Sequence, residues 1–232
     1  MHERVRMILM VGGDDLSEVI TLDISTPSVK YLCKKDKRLA KVIHMVGPIT
    51  YTPYNHEKIY SFMVHEVIEQ MLSVKAGKKI FGRLEELCNG YVTAEKVNQL
   101  SNEQLKNIGT SESKVRCIRE LTEAVIRGDL DFNKLSGHND SDVQRELTKL
   151  YGIGNWTAKM FLIFVLNRQD VLPFEDGAFL QVYRWVYKTD DDSKEAVKKK
   201  CKKWSPYASV GARFFYRALD TGMTKEEFHL YK

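Results

Sequence analysis

The 232 residues include 43% hydrophobic side chains, which excludes a globally disordered chain and suits one substantial core or two smaller lobes. With 36 Lys and Arg against 31 Asp and Glu, the formal charge is +5, permitting a polyanionic partner without requiring one. Cys33, Cys88, Cys117 and Cys201 form no C-x-x-C pair, so local spacing for zinc or an iron–sulfur cluster is missing and reduced thiols are expected.

The apolar run at residues 7–11 is too short for a signal-peptide core or a bilayer span. The expectation is a protein of the cytoplasm, or of the nucleus in a eukaryote, with no membrane partner. A Gly12-Gly13-Asp14-Asp15 turn signal followed by alternating Ile20, Leu22 and Ile24 predicts a short β-hairpin or strand pair. Pro27 separates that appendage from residues 31–46, where Leu32, Leu39, Val42, Ile43 and Val46 follow helical spacing.

No proline occurs between Pro53 and Pro173, and apolar residues recur there at three- and four-residue steps. Ile59, Phe62, Met63 and Val67 form one stripe, Ile80, Phe81, Leu84 and Leu87 a second, and Ile118, Leu121 and Val125 a third. Ser101 with Gln104 fits a capping box, and Gly90, Gly109, Gly128 and Gly137 punctuate the connections. Further helices are expected over residues 176–187, 193–203 and 206–219, so the fold class is all-α with a small β or extended appendage at the N-terminus. The lysine run Lys194, Lys198, Lys199, Lys200, Lys202 and Lys203 reads first as a solvated helix face and second as a phosphate-tracking surface. His2, His44, His56, His65, His138 and His229 show no triad or metal spacing.

Between two helical patterns lies Leu150-Tyr151-Gly152-Ile153-Gly154-Asn155-Trp156-Thr157-Ala158. Its glycines let the chain reverse, and the second helix opens with free N–H groups and the positive end of its dipole. Such a turn can hold a DNA phosphate through Gly152, Ile153, Gly154 and Thr157 without reading sequence, although a plain helical corner uses the same residues.

Following this turn, Arg168-Gln169-Asp170-Val171-Leu172-Pro173-Phe174-Glu175-Asp176 completes a pattern that resembles the helix-hairpin-helix, Gly/Pro-rich loop and aspartate of a DNA-glycosylase superfamily. Two further stretches, Gln70-Met71-Leu72-Ser73-Val74-Lys75-Ala76 and Ile108-Gly109-Thr110-Ser111-Glu112-Ser113-Lys114, fall in family order and are most similar to the 3-methyladenine glycosylase II branch. The resemblance covers about residues 36–219. It implies two helical lobes with a DNA cleft between them. Residues 31–58 and 169–232 would form the lobe bearing the aspartate, residues 59–168 an inserted bundle with the hairpin, and residues 1–30 the appendage.

The resemblance places the catalytic carboxylate at Asp176, where an anion stabilises the oxocarbenium character that the sugar develops as the base departs. An N-cap is the plain alternative for an aspartate at a helix start, and Glu175 is the neighbouring carboxylate. Trp156 stands where bifunctional relatives carry a nucleophilic lysine; it cannot form a Schiff base, and its ring suits a flipped base. Lys159, three residues on, is expected at the surface or on a phosphate. Trp156, Met160 and Tyr207 are the implied base pocket, suited to cationic alkylated purines by cation–π contact, with Met160 a departure from the aromatic residue of the bacterial branch.

Met71 falls at the position that wedges into the DNA stack, with core packing as its equal alternative. The carbonyls of Thr148, Leu150 and Ile153 match places where relatives hold a structural cation; no cofactor is expected. The implied partner is double-stranded DNA carrying alkylated bases, engaged by a monomer. The competing readings are a non-enzymatic DNA-binding module, a glycosylase for oxidised or uncharged lesions, and an abasic-site lyase.

Overall fold

The computed structural model describes residues 19–231 and divides into two compact units. Tyr54–Leu166 forms one; the described residues up to Pro53, together with those from Asn167 onward, form the other.

The first unit opens with β1 (Ile20–Leu22), α1 (Pro27–Lys35), α2 (Lys37–Val46) and β2 (Ile49–Tyr51). The Gly12–Asp15 turn signal lies outside the described residues, and β1 pairs antiparallel with β2, a strand the periodicity did not predict. Leu22, Ile49 and Tyr51 turn inward, while Ile24, expected on the same strand, is exposed. Pro27 occupies the first turn of α1, where its missing N–H costs nothing, so the helix begins inside the segment expected to be extended.

The single helix expected over residues 31–46 is two, broken at Asp36. This residue is extended and caps α2 by accepting the Arg38 and Leu39 amides at 3.0 and 3.3 Å. Its other oxygen takes the Trp204 indole N–H at 3.0 Å, the Tyr187 hydroxyl, and Lys203 at 3.1 Å.

The second unit is a helical bundle: α3 (His56–Glu69), α4 (Val74–Leu87), α5 (Ala94–Gln99), α6 (Asn102–Asn107), α7 (Glu112–Arg127), α8 (Phe132–Ser136), α9 (Asp140–Leu147) and α10 (Asn155–Met160). Ser73, Thr93, Ser111, Asp131 and Asn139 each accept first-turn amides, and Ser101 with Gln104 closes the capping box the spacing predicts. Helix α3 is the bundle's centre, packed on α4, α7, α8 and α10, with Ile59, Phe62, Met63 and Val67 buried. In the second stripe only Phe81 and Leu84 are buried; Leu87 is exposed. After α10 the coil widens to a π-helix over Phe161–Val165, closed by the Leu166 N–H on the Phe161 carbonyl at 3.0 Å.

The chain returns to the first unit through α11 (Gly177–Tyr187), α12 (Lys194–Cys201) and α13 (Ala208–Asp220). Its core is aromatic: the Trp204 ring meets Phe215 perpendicularly at 5.1 Å, and Phe179 lies 5.3 Å from Phe215. Gly211 of α13 sits against Trp204, where a Cβ would lie 2.7 Å from Cε3. Gly211→Ala should therefore cost about 1–3 kcal/mol by overpacking, read as a melting temperature several degrees below wild type; an unchanged melt would show that the indole can yield. Among the described residues no helix is long and apolar enough to cross a membrane.

Candidate active site

The glycine turn between α9 and α10 belongs to the second unit. Gly152 has φ +77°, and a Cβ there would come within 3.0 Å of Cys117 Cβ and Sγ, so conformation and space both demand glycine. Burial pushes the Cys117 thiol up to about 12, and it packs as an apolar group. Ile153 is buried and anchors the turn, whereas Gly152, Gly154 and Asn155 are exposed. The Ala158 amide bonds to the Gly154 carbonyl at 3.1 Å, so the amides preceding it emerge from the end of α10, the arrangement that receives an anion.

Gln70, which the sequence reading did not single out, ties this turn to the end of α3. Its Nε2 donates to the Gly152 carbonyl at 3.0 Å and to Thr157 Oγ1 at 3.1 Å. The available signal was its place directly before Met71. Thr157 is 1% exposed with its hydroxyl engaged, so any contact it makes with a phosphate runs through its backbone. Lys159, expected at the surface or on a phosphate, is instead buried, as are Thr157, Ala158 and Met160, because α10 is enclosed on more than one face.

Trp156 is half-buried in the first turn of α10, and Met160 follows one turn on, buried. Met71 is 102% exposed with φ +59°, which removes core packing as its role. A non-glycine residue in the left-handed region costs on the order of 1 kcal/mol, offset here by Lys114, which caps α3 by donating to the Ile68 and Gln70 carbonyls at 2.7 and 2.8 Å.

Asp176 and Tyr207 belong to the first unit. The loop leading to Asp176 is stitched to α13: Asp170 accepts the Ala208 amide at 3.2 Å, the Ser209 amide reaches the Gln169 carbonyl at 3.0 Å, and the Val171 amide reaches Ser209 Oγ at 2.9 Å. At the loop's start Asn167 Oδ1 accepts the Tyr51 hydroxyl at 2.9 Å and Arg213 at 3.2 Å. Lys198 and Lys194 of the lysine run lie 4.6 and 5.4 Å over the Phe174 ring.

A turn from the Pro173 carbonyl to the Asp176 amide, 3.0 Å long, then delivers Asp176 to the head of α11. Its side chain is 1% exposed and its Oδ1 accepts the Phe179 amide at 2.8 Å. Glu175 beside it is exposed. Tyr207 is half-buried and meets Tyr31 edge-on at 5.3 Å, while the Tyr31 hydroxyl donates to the Ser205 carbonyl at 2.7 Å. Tyr31 had no distinguishing signal within its helical pattern.

The model of the HhH-GPD superfamily base excision DNA repair protein matches residues 64–206, more than half of the chain and a stretch holding Met71, the glycine turn, Trp156, Met160 and Asp176. The chain belongs to the HhH-GPD superfamily. It is 27% identical over 214 residues to a DNA-3-methyladenine glycosylase 1 of Schizosaccharomyces pombe, covering 88% of this chain and 91% of that one. The crystal structure of a DNA-3-methyladenine glycosidase from Bacillus halodurans matches with a TM-score of 0.75 at 32% identity, over 91% of this chain and 97% of that chain. A Schizosaccharomyces pombe 3-methyladenine DNA glycosylase in complex with abasic DNA matches with a TM-score of 0.75 at 28% identity, over 83% of this chain and 96% of that chain.

This HhH-GPD protein is accordingly a base-excision DNA glycosylase with DNA as its polymer, on a mostly helical fold. Of the three hairpin carbonyls singled out for a cation, that of Leu150 accepts the Ile153 amide at 3.1 Å.

Proposed function

We propose that this glycosylase acts as a monomer on duplex DNA, excises alkylated purines of the 3-methyladenine and 7-methylguanine type, and leaves the abasic strand uncut. The observation that carries the reading is Asp176: a buried carboxylate, its orientation set by the Phe179 amide, at the end of a loop stapled to α13. A carboxylate so held stabilises the positive charge on the deoxyribose and orients the water that attacks C1′ as the base leaves. The relatives named for 3-methyladenine support the substrate class.

An alkylated purine is cationic and already a good leaving group, so recognition by an aromatic face such as that of Trp156 can replace strong acid catalysis. Trp156 also leaves this position of the hairpin without an amine, and borohydride should trap no adduct with abasic DNA. Exposed Met71 is an apolar group suited to filling the space a flipped nucleotide vacates.

Chromatography of the bases freed from methylated duplex DNA tests the reading. Release of 3-methyladenine or 7-methylguanine is expected; duplex binding without release from this substrate or a panel of lesions would transfer the chain to the non-enzymatic reading. Trp156→Ala should lower excision of cationic bases by about 10- to 100-fold, the worth of a lost stacking and cation–π face, while DNA affinity changes little. Equal losses in both would assign Trp156 to packing.

A further inference from the structure

Directly beneath the Gln70-Met71 turn, α3 buries His65, Glu66 and Glu69, with 7%, 2% and 3% of their surfaces exposed. Each offers one donor atom, and the three atoms lie within 4.8 Å of one another. The contacts inside this cluster are too long for hydrogen bonds: His65 Nε2 stands 3.5 Å from Glu69 Oε1, and Nδ1 stands 3.8 Å from Glu66 Oε1. His65 Nε2 and Glu66 Oε2 are buried with no hydrogen-bond partner.

A carboxylate buried as Glu66 is, with Oε2 unpartnered, needs compensating charge. The nearby ammonium of Lys114 bonds to the Ile68 and Gln70 carbonyls. Nitrogen and oxygen donors bound at about 2.0–2.2 Å to a tetrahedral zinc stand roughly 3.3–3.6 Å apart, the spacing between His65 Nε2 and Glu69 Oε1, and one donor atom from each of the three residues falls within 4.8 Å of the others. His65 and Glu69, four residues apart, project from one face of α3, and the Phe81 ring meets the imidazole edge-on at 4.8 Å, setting its plane.

Across the cluster Gly77 of α4 leaves room for Glu69. A Cβ there would come 2.6 Å from Glu69 Cγ and 3.1 Å from its Oε1, so any larger residue would push this carboxylate out of place.

We propose that His65, Glu66 and Glu69 bind one divalent first-row cation, zinc in the simplest case, with solvent completing its coordination. The ion offsets the buried Glu66 charge, satisfies His65 Nε2 and clamps the last turn of α3, from which Gln70 reaches the hairpin and Met71 is held out on its left-handed backbone.

Calorimetric titration of zinc into the tag-free full chain after chelator dialysis tests this, with cobalt absorption and X-ray absorption of the zinc-loaded protein as structural readouts. One equivalent should bind with a shell of nitrogen and oxygen only, and zinc at a hundred times its Kd should raise Tm by about 5–10 °C. Glu66→Gln should weaken binding by at least about a hundredfold. Gly77→Ala, which removes no donor, should weaken it less. Absence of stoichiometric binding, a sulfur atom in the zinc shell, or equal affinity in wild type and Glu66→Gln would each overturn the proposal. The X-ray readout needs no variant, and none of these measurements depends on base excision.

Discussion

Asp176→Asn should lower base release by about a hundred- to ten-thousand-fold, the range for losing a catalytic carboxylate, while leaving affinity for duplex DNA and the melting temperature close to wild type. The substitution separates the cap seen in the structure from the catalytic role proposed for the same side chain. Asp176 caps α11 through the Phe179 amide, and asparagine caps a helix about as well as aspartate does, so the local structure survives. What asparagine cannot supply is the negative charge that the sugar requires as the base departs. Asp176→Ala removes both roles and should add a stability loss of about 0.5–2 kcal/mol to the loss of release. If Asp176→Asn released bases at the wild-type rate, the side chain would be a cap and nothing more. Glu175, exposed one position earlier, is the control: Glu175→Gln should leave release nearly unchanged.

The largest effect on stability is expected at Asp36. Asp36→Ala should cost about 3–5 kcal/mol, because it strips the cap from α2 and leaves the indole of Trp204 and the hydroxyl of Tyr187 facing a buried position without their acceptor. A fall in Tm on the order of 10 °C measured by calorimetry would agree; a change within about 2 °C would show that the network is replaceable by water.

The same carboxylate sets a pH dependence. Burial alone would raise its pKa, but hydrogen bonds from Tyr187, Trp204, the Leu39 amide and Lys203 outweigh that and hold it below the ordinary aspartate range. A pKa depressed by folding contributes stability that is fully present above the unfolded value, near 4, and is lost as pH falls through the lower folded one. Melting curves between pH 7 and pH 2.5 should therefore decline more steeply below about pH 4 in wild type than in Asp36→Asn.

The proline-free middle of the chain, its helical stripes and the Ser101 capping box were legible because they depend on neighbours within one or two turns. Asp176 was singled out for a different reason: an ordered set of motifs, the glycine turn followed by the loop closing at Pro173, points to one aspartate. The π-helical turn at Phe161–Val165 has no local mark of this kind, since its residues would suit an ordinary buried α-turn equally well. Strand β2 escaped for a similar reason, as three alternating residues carry too little period to register until Ile20–Leu22 supplies the partner edge.

By itself, then, the sequence determined the helical class, the family and the residue types available for the chemistry, all properties of composition, short-range spacing and motif order. Burial of the candidate site residues was decided by tertiary structure: Met71 stands wholly exposed, Lys159 and Thr157 lie inside, and of two adjacent carboxylates Asp176 is enclosed while Glu175 meets solvent. The physical reason is that a side chain's environment is set by segments remote in the chain. Ser209 and Ala208 pin the loop before Asp176, and Gln70 spans 82 residues to hold Gly152. No local pattern encodes which of these partners will arrive.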